Sequence, residues 1–118
     1  MISEYVGVYH ADGGLVGEAK YVVSHLLGRM HCSLCDITHS PLRRKRQWDL
    51  FVARLPVPFR LYHLNEMPTD VAELVHSVGS PLVLSRDNAG ALHVVLMPAQ
   101  LDRLDGSVEG LAAALAPV

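Results

Sequence analysis

The four-residue turn Asp87-Asn88-Ala89-Gly90 lies between two apolar runs, Pro81-Leu82-Val83-Leu84-Ser85 and Leu92-His93-Val94-Val95-Leu96-Met97. This arrangement predicts a β-hairpin. A hairpin commits two strands to antiparallel pairing, and its apolar faces must then be covered by the rest of a 118-residue chain. Two further β-rich runs stand upstream, Tyr5 to His10 and Phe59 to Leu64, the first closed by Asp12-Gly13-Gly14 and the second by Asn65-Glu66-Met67-Pro68.

Helical periodicity fills the intervals. Leu15, Ala19, Val22, Val23 and Leu26 share one face of a helix expected over 15–27, with Gly28 at its C-terminal cap. Ser40-Pro41 reads as the start of a second helix with Trp48, Phe51, Val52 and Leu55 inward, stopped by Pro56 and Pro58. Asp70 and Glu73 make a capping-box start for a third, with Val71, Leu74, Val75 and Val78 buried and Gly79 ending it. A short helical turn is expected around Ala99 to Leu104. Ser107 caps a last helix with Val108, Leu111, Ala112 and Leu115 inward.

The resulting order, β-α-(α)-β-α-β-β-α, resembles the thioredoxin-like superfamily. That resemblance implies one α/β domain over 1–118, with a mixed four-stranded sheet and helices on both faces. It also places Ser80-Pro81 where those proteins carry a cis-proline beside the active site. The segments Gly13-Gly14-Leu15-Val16-Gly17-Glu18 and His31-Cys32-Ser33-Leu34-Cys35-Asp36-Ile37-Thr38-His39 further resemble a pattern in small bacterial proteins, which brings no activity with it.

Composition excludes some function classes. Half the residues are apolar, 19% are charged and the formal net charge is −2, so nothing predicts a general pull toward nucleic acid or acidic membranes. Met1 to Asp12 lacks the basic start and apolar middle of a signal peptide. A cytoplasmic location is therefore expected, where thiols are kept reduced and the two cysteines are metal-binding or catalytic before they are a structural bridge.

Both cysteines fall in the His31 to His39 stretch, read as a loop. Cys32 and Cys35 have the spacing of a thiolate knuckle, His39 follows four residues on, and His31 or His25 completes a tetrahedral set for zinc or another transition metal. Asp36 is an oxygen alternative or an acceptor that orients a liganding imidazole. The same two thiols could instead cycle between dithiol and disulfide, with His31, Arg29 and the basic run Arg43-Arg44-Lys45-Arg46 favouring a thiolate. Or they are small buried fillers. Against the redox use stands their position. Thioredoxin-like oxidoreductases carry the pair where strand one enters helix one, which here is Asp12-Gly13-Gly14. Cys32 and Cys35 come a helix later, and a helix of about 13 residues is about 20 Å long at 1.5 Å per residue.

A second candidate site comprises His10, Asp12, Glu18, His63 and Glu66 with the Pro81 turn. If the first two strands are parallel neighbours, these groups share the C-terminal edge of the sheet, where α/β sites concentrate. Solvated loop ends would give the same residues. The run Arg43 to Arg46 sits on the first turns of the second helix in this reading, the wrong sign for its dipole by about 0.3–1 kcal/mol per charge. It is either a solvated face or a contact for an anionic or acidic partner, making the chain a non-enzymatic interaction module.

Overall fold

The computed structural model describes residues 2–10, 33–40 and 43–115; within them the side chains of Ser33, Asp36, His39, Ser40, Arg43 and Arg44 lie outside the description. The elements are β1 (Ile2–Val8), α1 (Ser33–Thr38), β2 (His39–Ser40), β3 (Arg43–Arg44), α2 (Arg46–Arg54), β4 (Phe59–Tyr62), α3 (Thr69–Val78), β5 (Leu82–Asp87), β6 (Leu92–Leu96), α4 (Pro98–Arg103) and α5 (Val108–Leu115). The helix expected over 15–27 falls outside the described residues. So do Asp12, Glu18, His25, His31 and Cys32.

Strands β4, β1, β5 and β6 form a mixed four-stranded sheet in that order. β1 runs parallel to β4 and antiparallel to β5, and β5 runs antiparallel to β6. The hairpin lies where its turn residues place it. Asp87 Oδ1 accepts from the Ala89 and Ala91 amides at 2.9 and 3.0 Å, and Gly90 supplies the left-handed position at φ 89°.

Alternation along the strands separates two cores. Tyr9 and Val83 face α1, α2, α4 and α5 in a cluster with Leu34, Ile37, Trp48, Leu101, Val108 and Leu111, with Phe59 and Leu61 packed against it. Val6, Val8, Leu82 and Leu84 point the other way, onto Val71 and Val75 of α3. Helices therefore cover both faces. Each large apolar side chain so buried contributes about 1.5–3 kcal/mol. Among the described residues, no helix is long and apolar enough to cross a membrane.

The elements around the cysteine stretch differ from those expected. Ser33–Thr38 is helical rather than loop. The second helix begins at Arg46, not at Ser40-Pro41. Ser40 pairs with Arg43 and His39 with Arg44 in a short antiparallel ladder, and the Lys45 amide donates to the Thr38 carbonyl at 2.8 Å. Local pairing with the preceding chain thus draws Arg43 and Arg44 out of the helix. Lys45 stands at its N-cap in extended conformation, with Nζ on the Gly106 carbonyl at 2.9 Å. Only Arg46 of the run is in the helix, with Asp49 in the same first turn, so most of the dipole conflict is absent.

The capping box at Asp70 is absent as well. Helix α3 starts a residue earlier, behind Pro68, with no side-chain cap. Asp70 instead accepts from the Val71 amide at 2.9 Å and from Arg86 Nη1 at 2.7 Å. Gly79 ends the helix as expected, at φ 106°.

Arg86 also donates to Glu4 at 3.2 Å and to the Gly90 carbonyl at 2.9 Å. Its hydrogen bond is the largest cause holding the Asp70 carboxyl below the ordinary value. A depressed folded-state value stabilises above the unfolded one and is lost as pH falls through the folded value. Half-exposed pairs of this kind contribute about 0–1 kcal/mol each. Arg86→Gln is therefore expected to lower the urea midpoint modestly at about pH 7. The gap to the parent chain should close below about pH 4, where the carboxylates protonate; a gap that stays constant with pH would show packing, not charge, to be responsible.

Candidate functional site

Polar side chains converge at the C-terminal ends of β1 and β4. These strands are parallel neighbours, with Val8 opposite Tyr62, and the Tyr9 amide continues the ladder onto the Tyr62 carbonyl at 2.9 Å. On the other side Val8 pairs with Leu82, so Ser80 and Pro81 reach the same edge. The Ser80–Pro81 peptide bond is cis. His10 and His63, each just past the end of its strand, therefore share one rim of the sheet.

The geometry divides this rim into two pairs. His10 Nδ1 and Ser80 Oγ are 2.8 Å apart, at an exposed position. His63 and Glu66 form a closed local turn: Glu66 Oε1 accepts from the His63 amide at 3.0 Å and lies 2.5 Å from Nδ1, while the Glu66 amide donates to the His63 carbonyl at 3.1 Å. The imidazole, followed by the His63 amide, holds the Glu66 carboxyl below its ordinary range. The Asn65-Glu66 turn after the strand creates this pairing, because it brings residue i+3 back over residue i.

Tyr9 links the rim to the cysteine segment. Its ring lies against the His63 ring, centroids 5.0 Å apart at 50°. Its hydroxyl is 2.9 Å from Thr38 Oγ1. Thr38 is fully buried and donates to the Cys35 carbonyl at 3.4 Å, which leaves its oxygen to accept from Tyr9. Helix α1 is thereby fastened to the end of β1. Cys35 is buried beside Leu34, Ile37 and Trp48 in the same core.

Of the candidate metal or redox residues, Cys35 is placed in full and His39 by its backbone only, at the start of β2. Cys32 and His31 lie outside the described residues, as do Asp12 and Glu18 of the second candidate group. Among the described residues no three His, Cys, Asp or Glu side chains gather as a metal-holding set. Sequence reading misses Tyr9 and Thr38, and takes Ser80 only as the residue before Pro81. Tyr9 is legible as the next inward position after Tyr5 and Gly7. Thr38 carries no signal of its own, since it matters through a partner distant in the chain.

A concavity lies between α2 and β4. It has a volume of about 530 Å³ and is lined by Trp48, Asp49, Val52 and Phe59 to Tyr62. Comparison of the chain with protein-family models, curated proteins and solved structures gives no match.

Proposed function

We propose that the chain is a thioredoxin-like thiol–disulfide oxidoreductase acting through Cys32 and Cys35. One observation carries this reading: the Thr38–Tyr9 hydrogen bond ties the Cys35 helix to the C-terminal end of β1, the sheet edge that Ser80 and Pro81 also reach. This bears on the objection from sequence order, because the Thr38 end of the segment lies by Tyr9, the residue after strand one. The strand order likewise supports the thioredoxin-like architecture.

The chemistry follows from sequence spacing and burial: Cys32 and Cys35 are three residues apart, and Cys35 lies in α1. With Cys35 buried, Cys32 is the attacking sulfur. Its thiolate attacks a substrate disulfide, forming a mixed disulfide and releasing one substrate thiol. Cys35 then attacks the Cys32 sulfur and releases the second. Two electrons pass from the dithiol to the substrate disulfide.

A second reading, a zinc site of Cys32, Cys35, His39 and His31, is favoured by one observation: α1 ends at Thr38, so His39 follows the Cys35 helix directly at the start of β2. Elemental analysis with a thiol count on the same native sample separates the two readings. The redox reading expects two titratable thiols, substoichiometric metal and reversible loss of both thiols on oxidation, with Cys35→Ser arrested as a mixed disulfide. Close to one zinc per chain, lost in Cys32→Ser and Cys35→Ser, would replace it with the metal reading.

A further inference from the structure

We propose that the outer edge of β4 binds an extended segment of a partner protein as an added strand, one that carries an acidic residue between two apolar ones. The site is independent of the cysteines. β4 stands at one end of the sheet, and its pairing with β1 fixes which of its main-chain groups are engaged. The Tyr5 amide donates to the Pro58 carbonyl and the Tyr9 amide to the Tyr62 carbonyl, both at 2.9 Å. The parallel register between them sets Val6 against Arg60 and Gly7 against Leu61. In such a ladder alternate residues of a strand bond to the same neighbour. Residues 58, 60 and 62 therefore face β1, and the amides and carbonyls of Phe59 and Leu61 are directed away from it. Among the described residues no strand pairs with them there. The next outward amide, that of His63, is taken by Glu66 Oε1 at 3.0 Å. The edge thus offers two donors and two acceptors, closed off at its C-terminal end.

The concavity beside this edge identifies the side chains the added strand brings. It is lined by four consecutive residues, Phe59 to Tyr62, together with Trp48, Asp49 and Val52. Successive side chains on a strand point to opposite faces, so a hollow that touches all four runs along the edge rather than over one face. An antiparallel segment exchanges both main-chain bonds with Phe59 and both with Leu61, and its residues opposite those two share their face. That is the face of Trp48 and Val52, and about 530 Å³ is a volume typical of ligand sites, so these two positions call for apolar side chains. The residue between them stands opposite Arg60, on the face of Tyr62. The Arg60 side chain is 59% exposed, with Nε 3.5 Å from Glu4. Glu4 is bound by Arg86 as well, at 3.2 Å, and the Arg60 guanidinium has further donors to give a second carboxylate. In this mode of recognition main-chain bonds supply affinity and alternate side chains supply specificity.

The probe is the end-blocked pentapeptide Thr-Val-Glu-Val-Thr, titrated into the full-length chain. Trp48 is the single tryptophan and lines the concavity, so its emission should change saturably. Hydrogen exchange should slow at the Phe59 and Leu61 amides and stay as it was at Arg60 and Tyr62, whose amides β1 already holds. N-methylation of the two valine amides should weaken binding about tenfold or more, since it removes two main-chain hydrogen bonds. N-methylation of the glutamate amide, which points away from β4, should be tolerated. Arg60→Gln should weaken binding about two- to fivefold, the range of a cross-strand charge pair. No saturable change up to millimolar peptide overturns the proposal. Equal binding of the valine-methylated peptide also overturns it, as does protection confined to the β6 edge at Leu92 to Leu96. Protection of Phe59 and Leu61 that rises with chain concentration in the absence of peptide would assign the edge to a second copy instead.

Discussion

Trp48→Ala is expected to cost about 3–5 kcal/mol, the range for deleting a buried tryptophan, and this is a large fraction of the stability of a domain this size. Trp48 is 2% exposed and is the buried anchor of α2. Its ring stands edge-on to Phe59 at a centroid distance of 5.0 Å and tilted to Phe51 at 5.5 Å. Aromatic pairs of this geometry add about 0.5–1.5 kcal/mol beyond area burial. The deletion therefore removes a residue that joins three elements: its own helix, the edge strand β4 and the core beneath α1. Urea denaturation followed by far-UV circular dichroism measures the loss. Trp48→Phe should recover part of it, since a smaller ring keeps the apolar contacts and leaves a smaller cavity. A loss below about 1 kcal/mol for the alanine variant would mean that α2 does not rest on this side chain.

Gly7→Val should be nearly as damaging for the opposite reason, too much volume. A Cβ at Gly7 would lie 2.9 Å from Leu61 Cδ2, 2.9 Å from Phe59 Cε1 and 3.2 Å from Leu34 Cδ2. Gly7 is in the middle of β1, opposite Leu61 on one side and Val83 on the other, and Leu34 of α1 descends into the space its missing side chain leaves. Overpacking of a tight core costs about 1–3 kcal/mol. Alanine should fall at the lower end, offset by its better strand entropy. The valine should also loosen α1, because Leu34 is the one of the three neighbours that belongs to the Cys35 helix. Increased alkylation of Cys35 in folded Gly7→Ala protein reads this out. Unchanged stability in both variants would show that the helix rides higher on the sheet.

The positions of these two residues show what could be read from the chain and what could not. The hairpin, the edge run Phe59 to Tyr62 and the apolar stripes of α2, α3 and α5 followed from period and turn chemistry, because those are local properties of the chain. The α/β class with a mixed four-stranded sheet follows from their order. The starts of α2 and α3 were misread where a tertiary or cross-strand partner overrode a local signal. Ser40 pairs with Arg43 instead of capping, and Asp70 turns to Arg86. Residues 33–38 were read as loop because their four polar or cysteine positions mask a single helical turn whose apolar residues, Leu34 and Ile37, lie three apart. The His63–Glu66 contact was legible in outline, since a turn after a strand brings such residues together. The contacts of Tyr9 with Thr38 were not, because they join positions separated by a stretch whose path no local rule specifies.

The sheet stands between two cores, one under α3 and the other under the cysteine helix. Side chains on its two sides share only the backbone of the four strands, and couplings between residues without common partners are small. Stability and geometry are thus separable properties in this molecule. The α3 side can drift in sequence and set how firmly the sheet is held, while the other side keeps its side chains in register around Tyr9. A lineage could therefore adjust its tolerance to temperature on one face of the sheet and leave the packing around Tyr9 on the other untouched.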